Sequence, residues 1–484
     1  MNLKKEWFGN VRQDVLAGMV VAIALIPEAI GFSILAGVDP MVGLYASFCI
    51  AIITAFAGGR PGLISAATGA MALVLAGLVR EYGVQYMLAA TILAGIFQII
   101  MGALKIGNLL RFIPKPVMTG FVNALGILIF KAQLTYFTGQ GVTMYLLVAV
   151  GIGIIYFFPK LNKTLPAPLV AIIVLTIVTI VTGMEVTRIG DMGNIVGVLP
   201  SFSLPEVTFG LETLKIIAPF SLSLAIVGLA ESMLTARLLD ELTDTKSNKN
   251  RECMGQGLAN IVAGFFGGMA GCAMIGQSVI NYKSGGRGRL STLTAGVFLM
   301  ILIVVLNNWV VLIPVAALVA VMIIVSIATF DWSSIKRIAK VPKSDTAVML
   351  SVVAIVFVTE NLAYGVIIGI ILSSVFFVNK ISKVKVEKTG SENNIKYRCW
   401  GQLFFASTTN FLEQFDYDIS DQMIELDLTH VKFWDESAGD AFDKLISKYS
   451  ERRVRVKIQG LSEACEKLLE RTSLQYSILP EYVD

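Results

Sequence analysis

Apolar runs of about twenty residues, broken by short polar stretches, recur from Asp14 to about Val378. A bilayer-crossing helix needs roughly 20 such residues. The pattern predicts about fourteen segments, near 13–33, 38–57, 63–79, 86–106, 115–133, 142–158, 166–184, 214–237, 254–267, 272–282, 290–307, 309–328, 346–359 and 361–378. The third, ninth and tenth are short or glycine-rich and are expected not to span alone. Seven segments precede the loop GMEVTRIGDMGNIVGVLPSFSLPEVTFG and seven follow it. An odd number per half makes the second half enter from the opposite face, which gives inverted repeats of about 1–200 and 210–380. After Lys380 the pattern changes. KYRCWGQLFFAS, MIELDLTHV and RVRVKIQG read as strands, and TNFLEQF, ESAGDAFDKLISKY and SEACEKLLERT as helices, the last opened by a serine cap. Strands alternating with helices predict a small cytoplasmic α/β domain over 381–484, behind a membrane domain over 1–380.

Composition agrees with a polytopic α-helical membrane protein. The chain is 55% hydrophobic and 15% charged, with a mean hydropathy of +0.73, whereas soluble proteins carry about 25% charged residues. The first apolar run is long and no small-residue cleavage site closes it, so no cleavable signal is expected. Five dispersed cysteines form no CxxC pair, and His430 is the only histidine. Metal chemistry, a disulfide frame and Ser-His-Asp hydrolysis are poor readings, and no enzyme activity or cofactor is expected. Residues 1–380 hold 25 Lys and Arg against 17 Asp and Glu, and residues 381–484 hold 14 against 18, which sums to the net +4. The basic excess sits in membrane loops and does not point to nucleic acid. With alternating sides, twenty loop cations (Arg111 and Lys163 among them) fall on one face and four on the other. The positive-inside rule then puts both termini in the cytoplasm and the protein in the cell (inner or plasma) membrane.

Two stretches match in position between the halves: SAATGAMALV (65–74) and GCAMIGQSVI (271–280). Both read as small-residue, hydroxyl- and glycine-bearing starts of a short helix. A helix N-terminus offers unpaired N–H groups and partial positive charge, so two of them facing at mid-membrane would hold an anion without lysine or arginine. Ser65, Thr68, Gly69 and Ala70 suit this role in the first half. Gly271, Cys272, Ala273, Met274 and Gly276 suit it in the second. Close helix packing is the plainer alternative for so many small residues. Glu28 follows Pro27 inside the apolar run IALIPEAIGFS, although a charge at the bilayer centre costs at least about 2.5 kcal/mol. Its counterpart in the second half is Glu231, with Thr235 four residues on and so on the same helix face. This pair could hold Na⁺, orient a substrate or take up a proton. The plainer readings are a neutral buried acid or snorkelling to an interface. Arg237 and Asp240 read as cytoplasmic-interface residues.

The stretches PEAIGFSILAGVDPMVGLYASF (27–48), RFIPKPVMTGFVNALGILI (111–129), AIVGLAESM and NYKSGGRGRLS resemble, in order and motif, the SulP sulfate-permease family. The soluble tail resembles a STAS domain. The resemblance implies seven-plus-seven inverted repeats in a core and a gate domain. It implies an elevator-like motion, and substrates among sulfate, bicarbonate, chloride, oxalate and dicarboxylates. It also implies a homodimer and, at the STAS domain, a cytoplasmic partner. Carried over by motif, the substrate site would include Phe32, Thr68, Gly69, Ala70, Cys272, Ala273 and Gly276, and the coupling-ion site Glu28, Glu231 and Thr235. Two departures stand out: Glu28 where many relatives have Gln, and Gln277 where many have Arg. Both favour anion symport with a cation over simple exchange. In the tail, Glu436 stands where related domains carry a phosphorylatable serine, with Ser437 next, so a fixed charge could mimic phosphorylation. Acidic preference at a helix N-terminus also explains it. The expected activity is secondary transport of a small inorganic or carboxylate anion, coupled to H⁺. Na⁺-coupled bicarbonate symport or exchange, a nucleobase-type permease, and a membrane-anchored STAS sensor are the rival readings.

Overall fold

The computed structural model describes residues 3–108, 113–139, 141–161, 166–193, 197–208, 210–391, 394–420 and 422–473. Arg111, Phe112's neighbour in the quoted motif, and Lys163 lie outside them. The chain divides into two compact units, Met1–Ile370 and Ile371–Asp484. The division falls inside the last apolar helix, upstream of the composition break at Lys380.

The first unit opens with α1 (Leu3–Phe8), α2 (Val11–Ala36) and α3 (Pro40–Ala57). The α2–α3 corner follows from local chemistry. Gly37 ends α2 at φ 77°, and the Asp39 carboxylate accepts from Met41 N at 2.8 Å with Pro40 opening α3. There follow β1 (Ser65–Ala67), α4 (Gly69–Tyr82), α5 (Val84–Ala103), α6 (Lys115–Leu134), α7 (Val142–Leu161) and α8 (Ala167–Val181). The second half runs α9 (Leu211–Thr243), α10 (Lys249–Phe265), β2 (Gly271–Ala273), α11 (Ile275–Lys283), α12 (Arg289–Val310) and α13 (Val315–Thr329). It ends with a short α14 (Trp332–Arg337), α15 (Lys343–Thr359) and α16 (Leu362–Ile381).

Each expected segment falls on a helix. Among the described residues nine helices have the length and apolarity to cross a membrane. One expectation needs correction. The third and tenth segments do not start as helices: each begins as a three-residue strand and becomes helical only at Gly69 and Ile275. The third, ninth and tenth segments, α4, α10 and α11 at 14, 17 and 9 residues, are not among those nine helices, and neither are α8 and α15, at 15 and 17.

Packing repeats between the halves. Helix α5 packs on α9 and α10, and α12 packs on α2 and α3. These helices enclose the two strands and half-helices and form the core. A second group, the gate, is built around α6 and α13, with α15 against α6 and α7 against α8 and α13. Helix α2 stays helical through Pro27, which has no N–H to give to the Ile23 carbonyl, so one backbone bond is missing in the turn that leads to Glu28.

The second unit holds a four-stranded sheet in the order β3-β4-β5-β6. Its strands are β3 (Lys385–Ser391), β4 (Asn394–Leu403), β5 (Met423–Phe433) and β6 (Arg455–Gln459). β4, β5 and β6 pair in parallel, with Ile395 opposite Ile424 and Ile424 opposite Val456. Its helices are α17 (Thr408–Leu412), α18 (Glu436–Glu451) and α19 (Glu463–Thr472). Ala438, Ala441, Phe442, Leu445 and Tyr449 line the buried stripe of α18 at helical spacing, over a core that includes Tyr397 and Phe411. Ser462 caps α19 by accepting from Cys465 N, as the sequence predicts. Strand β3, antiparallel to β4, is an element the sequence pattern misses, because KVEKTGS carries no run of alternating apolar residues. The helix expected over TNFLEQF is reduced to Thr408–Leu412.

Candidate anion-binding crevice

Strands β1 and β2 pair antiparallel, Ser65 with Ala273, Ala66 with Cys272 and Ala67 with Gly271. A ribbon this small cannot satisfy its own outer edges, and buried backbone groups need partners. Side chains supply them. Ala67 N donates to Ser47 Oγ at 3.3 Å, Ala273 N to Ser232 Oγ at 3.1 Å and Gly271 N to Asn260 Oδ1 at 2.9 Å. Beyond the paired residues, Met274 N donates to Ile64 O (2.9 Å), and Ile64 N to Ser278 Oγ (3.0 Å). Gln256 Nε2 donates to Ser65 Oγ at 2.7 Å. Because the strands are antiparallel, α4 and α11 leave from opposite ends of the ribbon. Their N-termini lie at the two ends of a ribbon about 10 Å long, the length of three strand residues.

The predicted residues distribute unevenly around this ribbon. Thr68 is the N-cap of α4, but its hydroxyl does not cap its own helix; Oγ1 meets Cys272 Sγ at 3.2 Å. Cys272 Sγ in turn donates to Glu231 Oε2 at 3.0 Å. Thr68, Cys272 and Glu231 thus form one chain that joins the two halves. Thr235 Oγ1 donates to Glu231's own carbonyl (2.9 Å) and approaches Ala273 O (3.4 Å), so its hydroxyl proton is spent on backbone rather than on the carboxylate. Glu28 is half-buried, with the Gln277 side chain beside it. The two positions singled out in the sequence as departures from the family motif, Glu28 and Gln277, are therefore neighbours. Among the described residues no ion pair involves Glu28 or Glu231.

Phe32 is buried, with its ring edge against Gly69: a Cβ at Gly69 would lie 2.9 Å from Phe32 Cε1 and 3.0 Å from Ile129 Cδ1. The start of α4 is thus tightly covered. Gly276, in the first turn of α11, faces nothing within 4 Å. Ala70 and Ala273 are fully buried, and Ala273 packs with Leu63, Ala236 and Leu239. A cavity of about 410 Å³ lies between α6 and α9 and reaches Ile275, the first residue of α11. Lys115, Arg237 and Glu241 stand on its wall, with Arg237 paired to Glu241 at 3.1 Å. Asp240 faces elsewhere, bridged to Arg60 (3.0 Å) and Lys249 (2.6 Å). A larger bowl of about 830 Å³, lined by Tyr136, Glu185, Arg188 and Asp191 among others, touches none of the predicted site residues.

The ribbon's supports, Ser47, Ser232, Gln256 and Asn260, and the Glu28 partner Gln277 escape a reading that follows only carboxylates and small residues. Their signal was present: each is a polar residue inside an apolar segment. In the second unit, Asp435 caps α18 by accepting from Ala438 N (3.1 Å) and also accepts from Phe405 N (2.9 Å). Glu436 is the exposed first residue of that helix and Ser437 the half-buried second.

A chain of apolar helices folded around two broken, crossing half-helices is a membrane protein of transporter architecture. Two family models match it: the sulfate permease family over residues 11–150 and 141–354, and the STAS domain over 385–482. The chain belongs to the sulfate permease family of anion transporters and carries a C-terminal STAS domain. It is similar to "Putative sulfate transporter YbaR" of Bacillus subtilis (strain 168), at 56% identity over 97% of this chain and 98% of that one. It is also similar to the bicarbonate transporter BicA of Picosynechococcus, at 29% identity over 81% and 75%. Among solved structures, the transmembrane domain of a cyanobacterial BicA matches with a TM-score of 0.66 at 28% identity, over 76% of this chain and 98% of that domain. The murine Slc26a9 anion transporter in its inward-facing state matches with a TM-score of 0.82 over 99% of this chain and 90% of that one; at 17% identity the likeness is one of fold.

Proposed function

We propose that the protein carries a small inorganic or carboxylate anion, of the sulfate, bicarbonate or dicarboxylate class, across the membrane by an elevator-like motion of core against gate, together with a proton taken up at Glu28. The single observation that carries this reading is the crevice: two half-helix N-termini flank a ribbon built from small residues. Open space lies at Gly276, and a cavity reaches Ile275. Backbone N–H groups and helix dipoles attract an anion there without a basic side chain. Glu28 meets a neutral amide rather than a cation, which suits a carboxyl that must gain and lose a proton during the cycle. Loading proton and anion together limits the charge moved through the bilayer. The cavity wall carrying Lys115 and Arg237 belongs, on the positive-inside rule, to the cytoplasmic side. The protein would act as a homodimer with both termini in the cytoplasm, and the STAS domain would take a regulatory partner near Glu436 and Ser437.

A second reading has its own observation. Thr235 Oγ1 and the backbone carbonyls of Glu231 and Ala273 belong to one cluster, and oxygen ligands of this kind suit Na⁺. The relative BicA is named a bicarbonate transporter, which favours that anion under either coupling. The test is uptake of labelled sulfate, bicarbonate and dicarboxylates into proteoliposomes, with mutual competition, under separately imposed proton and sodium gradients. Saturable uptake driven by the proton gradient supports the first reading. Uptake that follows only sodium supports the second, and no uptake of any anion refutes both.

A further inference from the structure

We propose that Asn260, held in place by Gln98, is a positioning residue for the anion crevice. The inference deepens the transport reading above and rests on it for its functional half. Helices α5 and α10 cross at a pair of glycines. A Cβ on Gly95 would lie 2.5 Å from Gly257 O, and one on Gly257 would lie 2.5 Å from Gly95 O. One turn beyond each glycine stand Gln98 and Asn260, which this close crossing brings into contact. Asn260 Nδ2 donates to Gln98 Oε1 at 2.8 Å. The same carboxamide makes both bonds that a neighbouring strand would make to Gly271: it accepts from Gly271 N at 2.9 Å and donates to Gly271 O at 3.1 Å.

In an antiparallel ribbon, alternate residues point their backbone groups away from the partner strand. Gly271 is such a residue, so without Asn260 its N–H and C=O would both lie unpaired in a dry interior. Gly271 precedes Cys272, Ala273 and the start of α11, so its position sets theirs. Asn260 and Gln98 are both fully buried, and neither touches the cavity. Gln98 Oε1 takes the second proton of Asn260 Nδ2, which holds the carboxamide in the orientation that meets both groups of Gly271. Gln98 Nε2 has no partner among the described residues. It lies 2.9 Å from where a Cβ of Gly228 would stand, and that same Cβ would lie 3.6 Å from Cys272 Cβ. The pair is thus wedged between α9 and β2, one helical turn from Glu231. Leaving one donor unsatisfied is a cost that a packing role alone does not call for.

The test uses the full-length protein in nanodiscs and proteoliposomes with Asn260→Leu, Asn260→Asp and Gln98→Leu. Hydrogen exchange of the segment around Gly271 reads the clamp directly, and half-saturation for sulfate or bicarbonate reads the site. Asn260→Leu should speed exchange around Gly271 and raise half-saturation about tenfold, the value of one net hydrogen bond to a buried group. Asn260→Asp keeps the acceptor for Gly271 N and should fall between Leu and wild type. Gln98→Leu should shift both readouts the same way by less, and the double variant should shift them by less than the sum. Unchanged exchange around Gly271 in Asn260→Leu overturns the proposal whatever the protein transports. Faster exchange with unchanged half-saturation, or a loss of maximal rate alone, reduces Asn260 to a scaffold residue and overturns it too. A wild type that transports neither anion strikes the transport reading instead, and the exchange result then decides the clamp by itself.

Discussion

Two glycines on the same short stretch should respond in opposite ways to the same methyl group. At Gly276 an added Cβ meets nothing within 4 Å, whereas at Gly271 it would lie 2.1 Å from Ala66 O and 2.6 Å from Ile50 Cδ1. Gly276→Ala puts a better helix former into α11 and should stabilise the protein by at most about 1 kcal/mol. Gly271→Ala must push the ribbon apart and should destabilise it by about 1–3 kcal/mol or more, the usual cost of overpacking. Thermal unfolding followed by size-exclusion chromatography in detergent reads both signs. The functional consequence runs the other way. A larger residue at Gly276 leaves the fold alone but stands between the anion and one of the two helix N-termini. A helix terminus contributes about 1–2 kcal/mol to an ion in a partly buried place, so Gly276→Leu should raise half-saturation roughly 5- to 30-fold. Ala273 is not a useful probe of the same space, because it packs with Leu63, Ala236 and Leu239 and a phenylalanine there would disturb folding first. Wild-type half-saturation and rate in Gly276→Leu, at normal thermal stability, would refute the assignment of the anion to the α11 terminus.

Other consequences can be checked alongside. Glu28→Gln should keep its contact with Gln277 and bind anion, yet lose the stimulation of uptake by an inward proton gradient; a full proton response in this variant removes Glu28 from coupling. In the STAS domain, Asp435→Ala gives up the cap of α18 and the bond from Phe405 N, and should cost about 1–2 kcal/mol in denaturant unfolding of that domain. The hydrogen bond from Lys388, at 2.7 Å, holds the Asp416 carboxyl below the usual carboxylate range. That contribution is present above the unfolded value and is lost as pH falls through the lower folded one. Lys388→Met should therefore move the Asp416 titration, followed by NMR, back up toward the ordinary value; an unmoved titration would show that Lys388 is not the cause.

How much of this was legible in the chain depends on what kind of order each part has. The fourteen segments were legible because apolar length is imposed by the bilayer, and the paired glutamates because a charge in such a run is costly enough to stand out. The strand β3 was not, because an edge strand with KVEKTGS owes its place to pairing with β4 rather than to its own pattern. The ribbon is the instructive case. Three residues are too few for any period, and SAA and GCA have side chains too small to show one. Its imprint lies elsewhere. A ribbon crossing in a membrane must have every outward N–H met by a side chain, so its position is written in the hydroxyls and amides of the helices around it. Ser47 on α3 meets Ala67, and Asn260 on α10 meets Gly271. These are the second segments of the two halves, and Ala67 and Gly271 are partners in the ribbon. Ser47 and Asn260 thus stand on the second segment of each half and each meets one member of the same ribbon pair, although the repeat itself matches Ala67 with Ala273, whose N–H is met by Ser232. Asking which polar residues lie inside apolar segments, rather than which are charged, leads from the sequence to the ribbon.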